Sequence, residues 1–482
     1  MTNYHLQMQI WNRAGVTRLA RQLATLAARE LTRVDGPVRA PACLAKTQSL
    51  LRRRVTPEKI SSLVEDVVEA SLHLCHPRFA AQQVAAPVPA AALVESVVAA
   101  LNNSLAVWEM SPAGTAIDRD LFGRFKRLFG FPPSAEGSMV TGGGFANLTA
   151  LLAARAKLAP EAWEQGGGRI AVLAGAQTHY SVSRAAGILG LGSRGVFTIP
   201  LDGLYRTDAS QAPGVFRAAR RAGFRRFVLI ATCGSTPTGS CDDLPAFARI
   251  ARREAAWLHV DAAHGGGLAF SRRHRHLLHG IERADSITFD PHKMLFMPLA
   301  AGAVLLRDGS HLRRAFDQNA PYLFAGPPRA YPDIGPFTIA CSQRFDALKV
   351  WLTWKAHGGA LWDEIVTHTC DVARCAYEYC ARSKILDPVH EPQTNILCFR
   401  LRKPPGARGA SDRLHFEIKE AVNASGRAYL SSTVLDGRRV FRIVVMNPRT
   451  TERDIEAILK EVEAAARFKI GRAGRSTATA GR

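Results

Sequence analysis

The chain has 482 residues, enough for two or three domains around a large apolar core. Its hydrophobic fraction of 47% is that of a globular protein, and no apolar run is long enough to cross a bilayer. Residues 1–7 lack the basic and apolar regions of a secretory signal. The nine cysteines are scattered without a CxxC spacing, which argues against a zinc site or a disulfide framework. We therefore expect a cytoplasmic protein without a membrane segment.

The net charge of +22 comes mainly from arginines spread along the whole chain. Such an excess can indicate a nucleic acid or an acidic membrane surface as partner. No RNA-binding or helix-turn-helix pattern accompanies it, so we expect no nucleic-acid partner and attribute the excess to an arginine-rich genome. The basic run 272–279 favours a solvated surface over a metal site, because its arginines would repel a divalent cation. No metal is expected.

Residues 1–110 are predicted to be mainly helical, since apolar residues recur at three-four spacing in 16–23 and 60–68. Further along, strand-like runs alternate with helical ones. The predicted strands are 170–173, 227–232, 257–260, 286–289 and 302–306, with a helix at 244–254. This alternation predicts a mostly parallel sheet covered by helices, with ligands bound at the carboxyl ends of the strands.

The pattern changes after a long helix through 348–354. Strands are predicted at 395–400, 428–431 and 440–445, with Asp436 and Gly437 as a hairpin turn between the last two. This indicates a small α+β domain. The predicted organisation is a helical segment (1–110), a large α/β domain (111–385), a small domain (386–468) and a disordered tail (469–482).

Two strand ends carry the residues that say most about chemistry. Asp261 follows the predicted strand 257–260, and Lys293 follows the next strand, 286–289. A lysine at a strand end can form a Schiff base with pyridoxal phosphate (PLP), and a neighbouring aspartate can keep the pyridine nitrogen protonated. Alone, such residues are more often a solvated lysine and a turn-forming aspartate. In this order and together they make PLP the leading prediction.

Three other features fit an anionic aromatic cofactor. The glycines 142–144 precede a helix, where free N–H groups and the helix dipole attract a phosphate. They lack both the GxGxxG spacing and the lysine of a nucleotide loop. His179 follows strand 170–173, so its ring could lie flat against a cofactor, although an isolated loop histidine is more often structural. Thr236, in a hydroxyl-rich turn, could bond a cofactor oxygen or merely cap the turn.

These residues, in this order, resemble the group II PLP-dependent amino-acid decarboxylases, the family of glutamate, aromatic-amino-acid and 2,4-diaminobutyrate decarboxylases. The similarity extends from His76 to Arg442 and beyond. Its most specific pieces are HVDAAHGG at 259–266, FDPHKM at 289–294, HYS at 179–181 and a predicted helix at 341–351. The resemblance implies PLP fold type I, related to aspartate aminotransferase, and a homodimer with the active site at the subunit interface.

The resemblance also implies roles for single residues. Lys293 would form the Schiff base, and Asp261 would pair with the pyridine nitrogen. Ala263 and His179 would lie on opposite faces of the ring, with Thr236 near the phenolic oxygen. The residues expected around the phosphate are Gly143, Gly144, Asp290 and His292.

Two of these phosphate positions depart from the family pattern. Asp290 stands where many members have asparagine, which brings an acid near the phosphate. Gly144 stands where many members have a hydroxyl, so its backbone N–H alone would serve.

The resemblance implies a mobile loop that carries a tyrosine into the partner subunit's site to protonate the substrate carbon. Tyr331 is the first candidate and Tyr322 the second. Arg442 resembles the family arginine that binds a substrate carboxylate, and Gln82 is the second residue expected to bind substrate. Gln82 and the predicted helix at 341–351 are most similar to the glutamate-type enzymes. The segment 101–112 is more similar to the diaminobutyrate type.

We expect α-decarboxylation of an L-amino acid to an amine and CO₂, with glutamate, aspartate or 2,4-diaminobutyrate as substrate. The alternatives are an aromatic-amino-acid decarboxylase, or a PLP aldehyde synthase or carbon–carbon lyase on the same fold. A catalytically silent binding protein is disfavoured, because every core cofactor position is filled.

Overall fold

The computed structural model of this chain describes residues 12–39, 48–53, 56–316, 320–324, 332–404 and 408–479. It divides into two compact units. The larger comprises Gln83–Tyr377 and Pro388–Cys398, and the smaller comprises Met1–Gln82, Glu378–Asp387 and Phe399–Arg482. The domain bounds expected from the sequence differ from these, and they stay a prediction.

The strands are β1 (Phe79–Ala80), β2 (Glu136–Val140), β3 (Ile170–Gly175), β4 (Val196–Ile199), β5 (Arg226–Thr232), β6 (Trp257–Asp261), β7 (Ser286–Phe289), β8 (Gly302–Leu306), β9 (Leu386–Pro388), β10 (Ile396–Leu401), β11 (Tyr429–Leu435) and β12 (Arg438–Val444). The first eight helices are α1 (Arg13–Leu31), α2 (Ile60–Glu69), α3 (Pro89–Leu93), α4 (Glu95–Leu101), α5 (Pro112–Leu128), α6 (Gly143–Leu158), α7 (Ala162–Gln165) and α8 (Ser181–Ile188). They are followed by α9 (Ala212–Arg221), α10 (Leu244–Glu254), α11 (Ser310–Phe316), α12 (Pro321–Phe324), α13 (Ala347–His357), α14 (Ala360–Arg382), α15 (Arg408–Ala424) and α16 (Glu452–Thr479).

Within the described residues, the larger unit is built on a sheet of seven strands in the order β2-β8-β7-β6-β5-β3-β4. Strand β3 pairs in parallel with β4 and β5, and the parallel pairing continues through β6 to β7. Strand β8 runs antiparallel to β7 and β2. The mostly parallel sheet and its five predicted strands are therefore confirmed.

Both faces of this sheet are covered. Every residue of β3, β6, β7 and β8 is buried, as a parallel sheet between helix layers requires. Successive side chains alternate between two apolar clusters: Ala171 and Leu173 belong to one, Ile170 and Val172 to the other. The second cluster includes the alanine-rich stretch 146–154 of α6. The core thus fixes α6 against the sheet, with its first turn beside the strand ends.

The predicted helix at 341–351 is wrong in its first half, because α13 begins at Ala347. The backbone before it is used elsewhere. Arg344 forms an isolated bridge with Ser104, and the Gln343 carbonyl accepts the Leu105 N–H at 2.9 Å. Groups committed to these pairings cannot also form helical hydrogen bonds.

Within the described part of the smaller unit, five strands form a sheet in the order β1-β11-β12-β10-β9. The turn between β11 and β12 has φ of +49° at Asp436 and +68° at Gly437. Two left-handed residues in succession give the twist that an antiparallel hairpin needs, so the predicted turn is confirmed. Helix α16 extends to Thr479, and it therefore includes most of the tail predicted to lack structure. In the described part of the chain, no helix is long and apolar enough to cross a membrane.

Candidate active site

A cavity of about 200 Å³ lies at the carboxyl ends of the central strands of the larger unit. Its walls include all nine cofactor-site residues predicted from the sequence: Gly143, Gly144, His179, Thr236, Asp261, Ala263, Asp290, His292 and Lys293. Four further residues complete the lining: Asn147, Thr232, Gly234 and His264. Residues from five separate segments meet here because parallel strands end at one edge of the sheet.

Asp261 is the last residue of β6, and it is 5% exposed. Its Oδ1 accepts the Ala263 N–H at 3.1 Å, and its Oδ2 accepts the Asn147 Nδ2–H at 2.9 Å. A buried carboxylate that accepts two hydrogen bonds is held in one orientation and keeps acceptor capacity for a ligand. Asp261 can therefore bind a protonated ring nitrogen.

Lys293 stands opposite a second acid. Its Nζ lies 3.3 Å from Oδ2 of Asp290, a residue that is 1% exposed. The same Oδ2 accepts the Gly143 N–H at 2.9 Å and lies 3.5 Å from His292 Nε2. Asp290 thus ties the lysine to the start of α6. The Lys293 side chain is 19% exposed, so its amine is accessible from the cavity.

Two of the histidines that line the cavity, His292 and His179, are mainly neutral near pH 7. Burial lowers the pKa of His292 and the pKa of His179 below their ordinary values. His292 Nδ1 accepts the Ala301 N–H at 3.1 Å, which leaves its ring proton on Nε2. His179 precedes α8, and its Nδ1 lies 2.8 Å from Ser181 Oγ.

The cavity fits PLP on three observations. A Cβ on Gly143 would lie 2.8 Å from Asp290 Oδ2 and 3.0 Å from Ala263 Cβ, so the start of α6 packs this closely on the cavity wall only because position 143 has no side chain. Thr232, whose buried Oγ1 has no hydrogen-bond partner among the described residues, lies in the cavity wall and can bond a ligand. The first turn of α6 adds the positive end of a 16-residue helix. Amine, carboxylate and anion-binding helix end are the donor set that PLP requires.

Three of the predicted residues are not among those that line the cavity, and a fourth is not described. Tyr331 is outside the described residues, and Tyr322 is in α12 with 85% of its surface exposed. Arg442 and Gln82 belong to the smaller unit. Arg442 is buried in β12, where its guanidinium approaches the Ser431 hydroxyl at 3.4 Å and the Ala81 carbonyl at 3.5 Å. Gln82 is exposed.

Sequence analysis did not single out Asn147, which contacts Asp261 directly. A signal was present, because Asn147 is a polar residue within the alanine- and leucine-rich first turns of α6, four positions after Gly143. His259 was also overlooked as a site element. It lies two residues before Asp261, on the same face of β6. Among the described residues, no cluster of three or more histidine, cysteine or acidic side chains could hold a metal.

Fold and site together define a PLP-dependent enzyme. The chain belongs to the family described as the pyridoxal-dependent decarboxylase conserved domain, whose model matches residues 49–402. It is 32% identical over 424 residues to the human acidic amino acid decarboxylase GADL1, covering 84% of this chain and 81% of that protein. It is 34% identical over 384 residues to the L-2,4-diaminobutyrate decarboxylase of Rhizobium meliloti (strain 1021), covering 79% and 76%.

The crystal structure of mouse CSAD superposes with a TM-score of 0.89 and 28% identity, over 94% of this chain and 99% of that chain. The architecture is therefore fold type I, and the predictions of family, cofactor and reaction class are confirmed. This protein is a PLP-dependent amino-acid decarboxylase.

Proposed function

We propose that the enzyme decarboxylates an L-amino acid with an acidic or small polar side chain, such as glutamate, aspartate or 2,4-diaminobutyrate. The observation that carries this proposal is the set of relatives at 31 to 34% identity. They are decarboxylases of acidic amino acids, of cysteine sulfinic acid and of L-2,4-diaminobutyrate. An aromatic substrate is the second candidate, because a relative from Bacillus atrophaeus at 30% identity is an aromatic-L-amino-acid decarboxylase.

In the proposed site, Lys293 holds the cofactor through its Nζ, and the first turn of α6 with His292 holds the phosphate. Bound PLP supplies an electron-withdrawing ring that accepts the electron pair left at the α-carbon when CO₂ departs. Asp261 keeps a proton on the pyridine nitrogen, and its burial strengthens that charge pairing. The Ala263 methyl group and the His179 ring pack on the two faces of the cofactor, and Thr236 lies near its phenolic oxygen.

The proton that replaces the carboxyl group comes, in this proposal, from Tyr331, with Tyr322 as the second candidate. We also propose a homodimer in which this tyrosine serves the partner subunit's site. The proposed homodimer is supported by the first two helices. The described residues of α1 and α2 include none that is buried, so these helices are available for a contact with the partner subunit. Light scattering should then give twice the mass of one chain. The cytoplasmic location also stays a prediction. Cell fractionation of the native host would test it.

A substrate panel tests the reaction and the substrate class together. Glutamate, aspartate, cysteine sulfinate, 2,4-diaminobutyrate and the aromatic amino acids are each assayed for CO₂, amine, ammonia and peroxide. We expect equal amounts of CO₂ and amine, with the highest kcat/KM for an acidic or small polar substrate. A preference for aromatic substrates would contradict the substrate class. Ammonia and peroxide released with CO₂ would indicate an aldehyde synthase instead.

The carboxylate-binding role of Arg442 has its own test. Arg442→Lys keeps the charge but loses the two-pronged guanidinium geometry that matches a carboxylate. We expect KM for the best substrate to rise about tenfold, the value of roughly one charged hydrogen bond. The matched control is Arg439→Lys in the same strand. Equal KM values for the two variants would argue against a role of Arg442 in substrate binding.

A further inference from the structure

Behind Asp261 lies a chain of buried polar groups that the proposed reaction does not use. Asn147 Nδ2 is 2.9 Å from Asp261 Oδ2 and 2.9 Å from Ser181 Oγ. Its Oδ1 is 2.7 Å from Thr288 Oγ1 and 3.0 Å from His259 Nε2. Asn147 is 1% exposed, and all four of its hydrogen-bonding positions are occupied. Buried amides with full sets of partners are rigid elements of a structure.

The direction of every hydrogen bond in this chain follows from two fixed ends. A carboxylate only accepts, so the Asn147 amide must turn its NH₂ group toward Asp261 and its oxygen toward His259. An indole only donates, so Trp257 Nε1–H gives its proton to Ser286 Oγ at 2.9 Å. Because the Asn147 oxygen only accepts, His259 carries its proton on Nε2 and donates it to Asn147 at 3.0 Å. The Nδ1 of the neutral ring then accepts the Ser286 Oγ–H at 2.8 Å.

The other branch leads to His179. The second N–H of the Asn147 amide donates to Ser181 Oγ, which leaves the serine proton for His179 Nδ1 at 2.8 Å. The Ser181 backbone N–H also points at this Nδ1, at 3.3 Å. With two donors directed at Nδ1, the neutral ring must carry its proton on Nε2.

We propose that Asn147 is the positioning residue of this site: its amide orients the Asp261 carboxylate and, through Ser181, sets the tautomer of His179. The inference rests on the roles proposed above for Asp261 and His179. Asp261 would pair with the ring nitrogen and His179 would lie against one face of the ring, so one amide fixes two walls of the cavity. Burial, which keeps His259 neutral by lowering its pKa, leaves no second proton that could reverse the chain.

Neutron diffraction from crystals of the wild-type holoenzyme in heavy water tests the hydrogen-bond directions without any variant. We expect deuterium on Nε2 of His259 and of His179, and both Asn147 amide deuterons directed at Asp261 and Ser181. Deuterium on His179 Nδ1, or the Asn147 oxygen facing Asp261, would overturn the proposal.

A variant tests the consequence for the cofactor. Asn147→Leu keeps the side-chain volume but removes the hydrogen bond to Asp261, so PLP should bind about tenfold more weakly, the value of one hydrogen bond to a charged group. The circular dichroism of bound PLP should change as well. The control is Asn423→Leu, because Asn423 is a buried asparagine of the smaller unit whose amide pairs with the Leu430 backbone at 2.9 and 3.0 Å.

The control should keep both the PLP affinity and the dichroism of the wild type. A folded Asn147→Leu enzyme with unchanged affinity and dichroism would overturn the positioning role. The roles of Asp261 and His179 fail by a different result, namely full turnover in Asp261→Asn or His179→Ala. Failure of the inference and failure of the proposed function are thus distinguished.

Discussion

Exchanging the side chains of Asp261 and Asn147 separates the charge of the acid from its hydrogen bonds. In Asp261→Asn alone, one amide cannot accept from both the Asn147 Nδ2–H at 2.9 Å and the Ala263 N–H at 3.1 Å. One donor is left facing another donor, which costs about 1–3 kcal/mol. When Asn147→Asp is added, the amide at position 261 donates to the carboxylate at position 147, which also accepts from His259 and Thr288. The hydrogen bond between positions 261 and 147 and those from His259 and Thr288 are restored, while the Ser181 hydroxyl must now donate to position 147 instead of accepting from it. The negative charge has moved one hydrogen bond away from the cavity.

We therefore expect the thermal midpoint of the cofactor-free single variant to fall by a few degrees, at about 2–4 °C per kcal/mol for a large domain. The double variant should recover to within about 1 kcal/mol of wild type. Its kcat should nevertheless stay on the order of 100-fold low, the scale of one lost electrostatic group in an active site. Calorimetry and CO₂ release measure the two effects. Wild-type kcat in the double variant, or an undisturbed midpoint in the single variant, would refute the reasoning.

Three further predictions concern the walls of the cavity. Asp290→Asn keeps an acceptor for the helix α6 backbone but removes a negative charge 3.3 Å from Lys293 Nζ, so anionic PLP should bind about tenfold more tightly in equilibrium dialysis; weaker binding would contradict this. Gly143→Ala should destabilise the protein by about 1–3 kcal/mol in urea unfolding, because its Cβ would meet Asp290 and Ala263, and an unchanged midpoint would disprove the close approach. Burial lowers the pKa of His259 from its ordinary 6.5 to about 4, so stability present above pH 6.5 is lost as the pH falls toward 4. The loss should be about 3 kcal/mol and smaller in His259→Gln, and equal pH dependence in both proteins would contradict it.

The parallel sheet was predictable because its strands are continuous apolar runs between turn residues. Ile170–Gly175 and Ser286–Phe289 are buried along their whole length. A strand buried on both faces is mostly apolar, and such a run can be recognised in the local sequence. The start of the helix predicted at 341–351 could not be predicted in the same way. Arg344 pairs with Ser104, more than 200 positions earlier, and such long-range pairing overrides the local helix preference.

The meeting of the predicted cofactor-site residues in one cavity was predictable for a related reason. Lys293 and Asp261 follow strand ends, so their meeting at one edge follows from the sheet alone. The hydrogen bonds of Asn147 could not be predicted, because the partners of a buried amide are far apart in the sequence and meet only in the folded structure. Asn147 lies 114 positions before Asp261 and 141 before Thr288, and no local pattern links them. Asp290 is an intermediate case, since its place beside the predicted phosphate site was expected while its contacts with Lys293 and the Gly143 N–H were not.

The central claim is that Lys293 binds PLP and that the bound cofactor decarboxylates an amino acid. The most direct test uses Lys293→Ala, with Lys157→Ala on the exposed side of α6 as the control. In one experiment, the visible absorbance of the purified enzyme is recorded and ¹⁴CO₂ is collected from a carboxyl-labelled substrate. The account predicts that Lys293→Ala loses both the visible band and the labelled CO₂, while the control keeps both. Labelled CO₂ released by Lys293→Ala at the wild-type rate would contradict it.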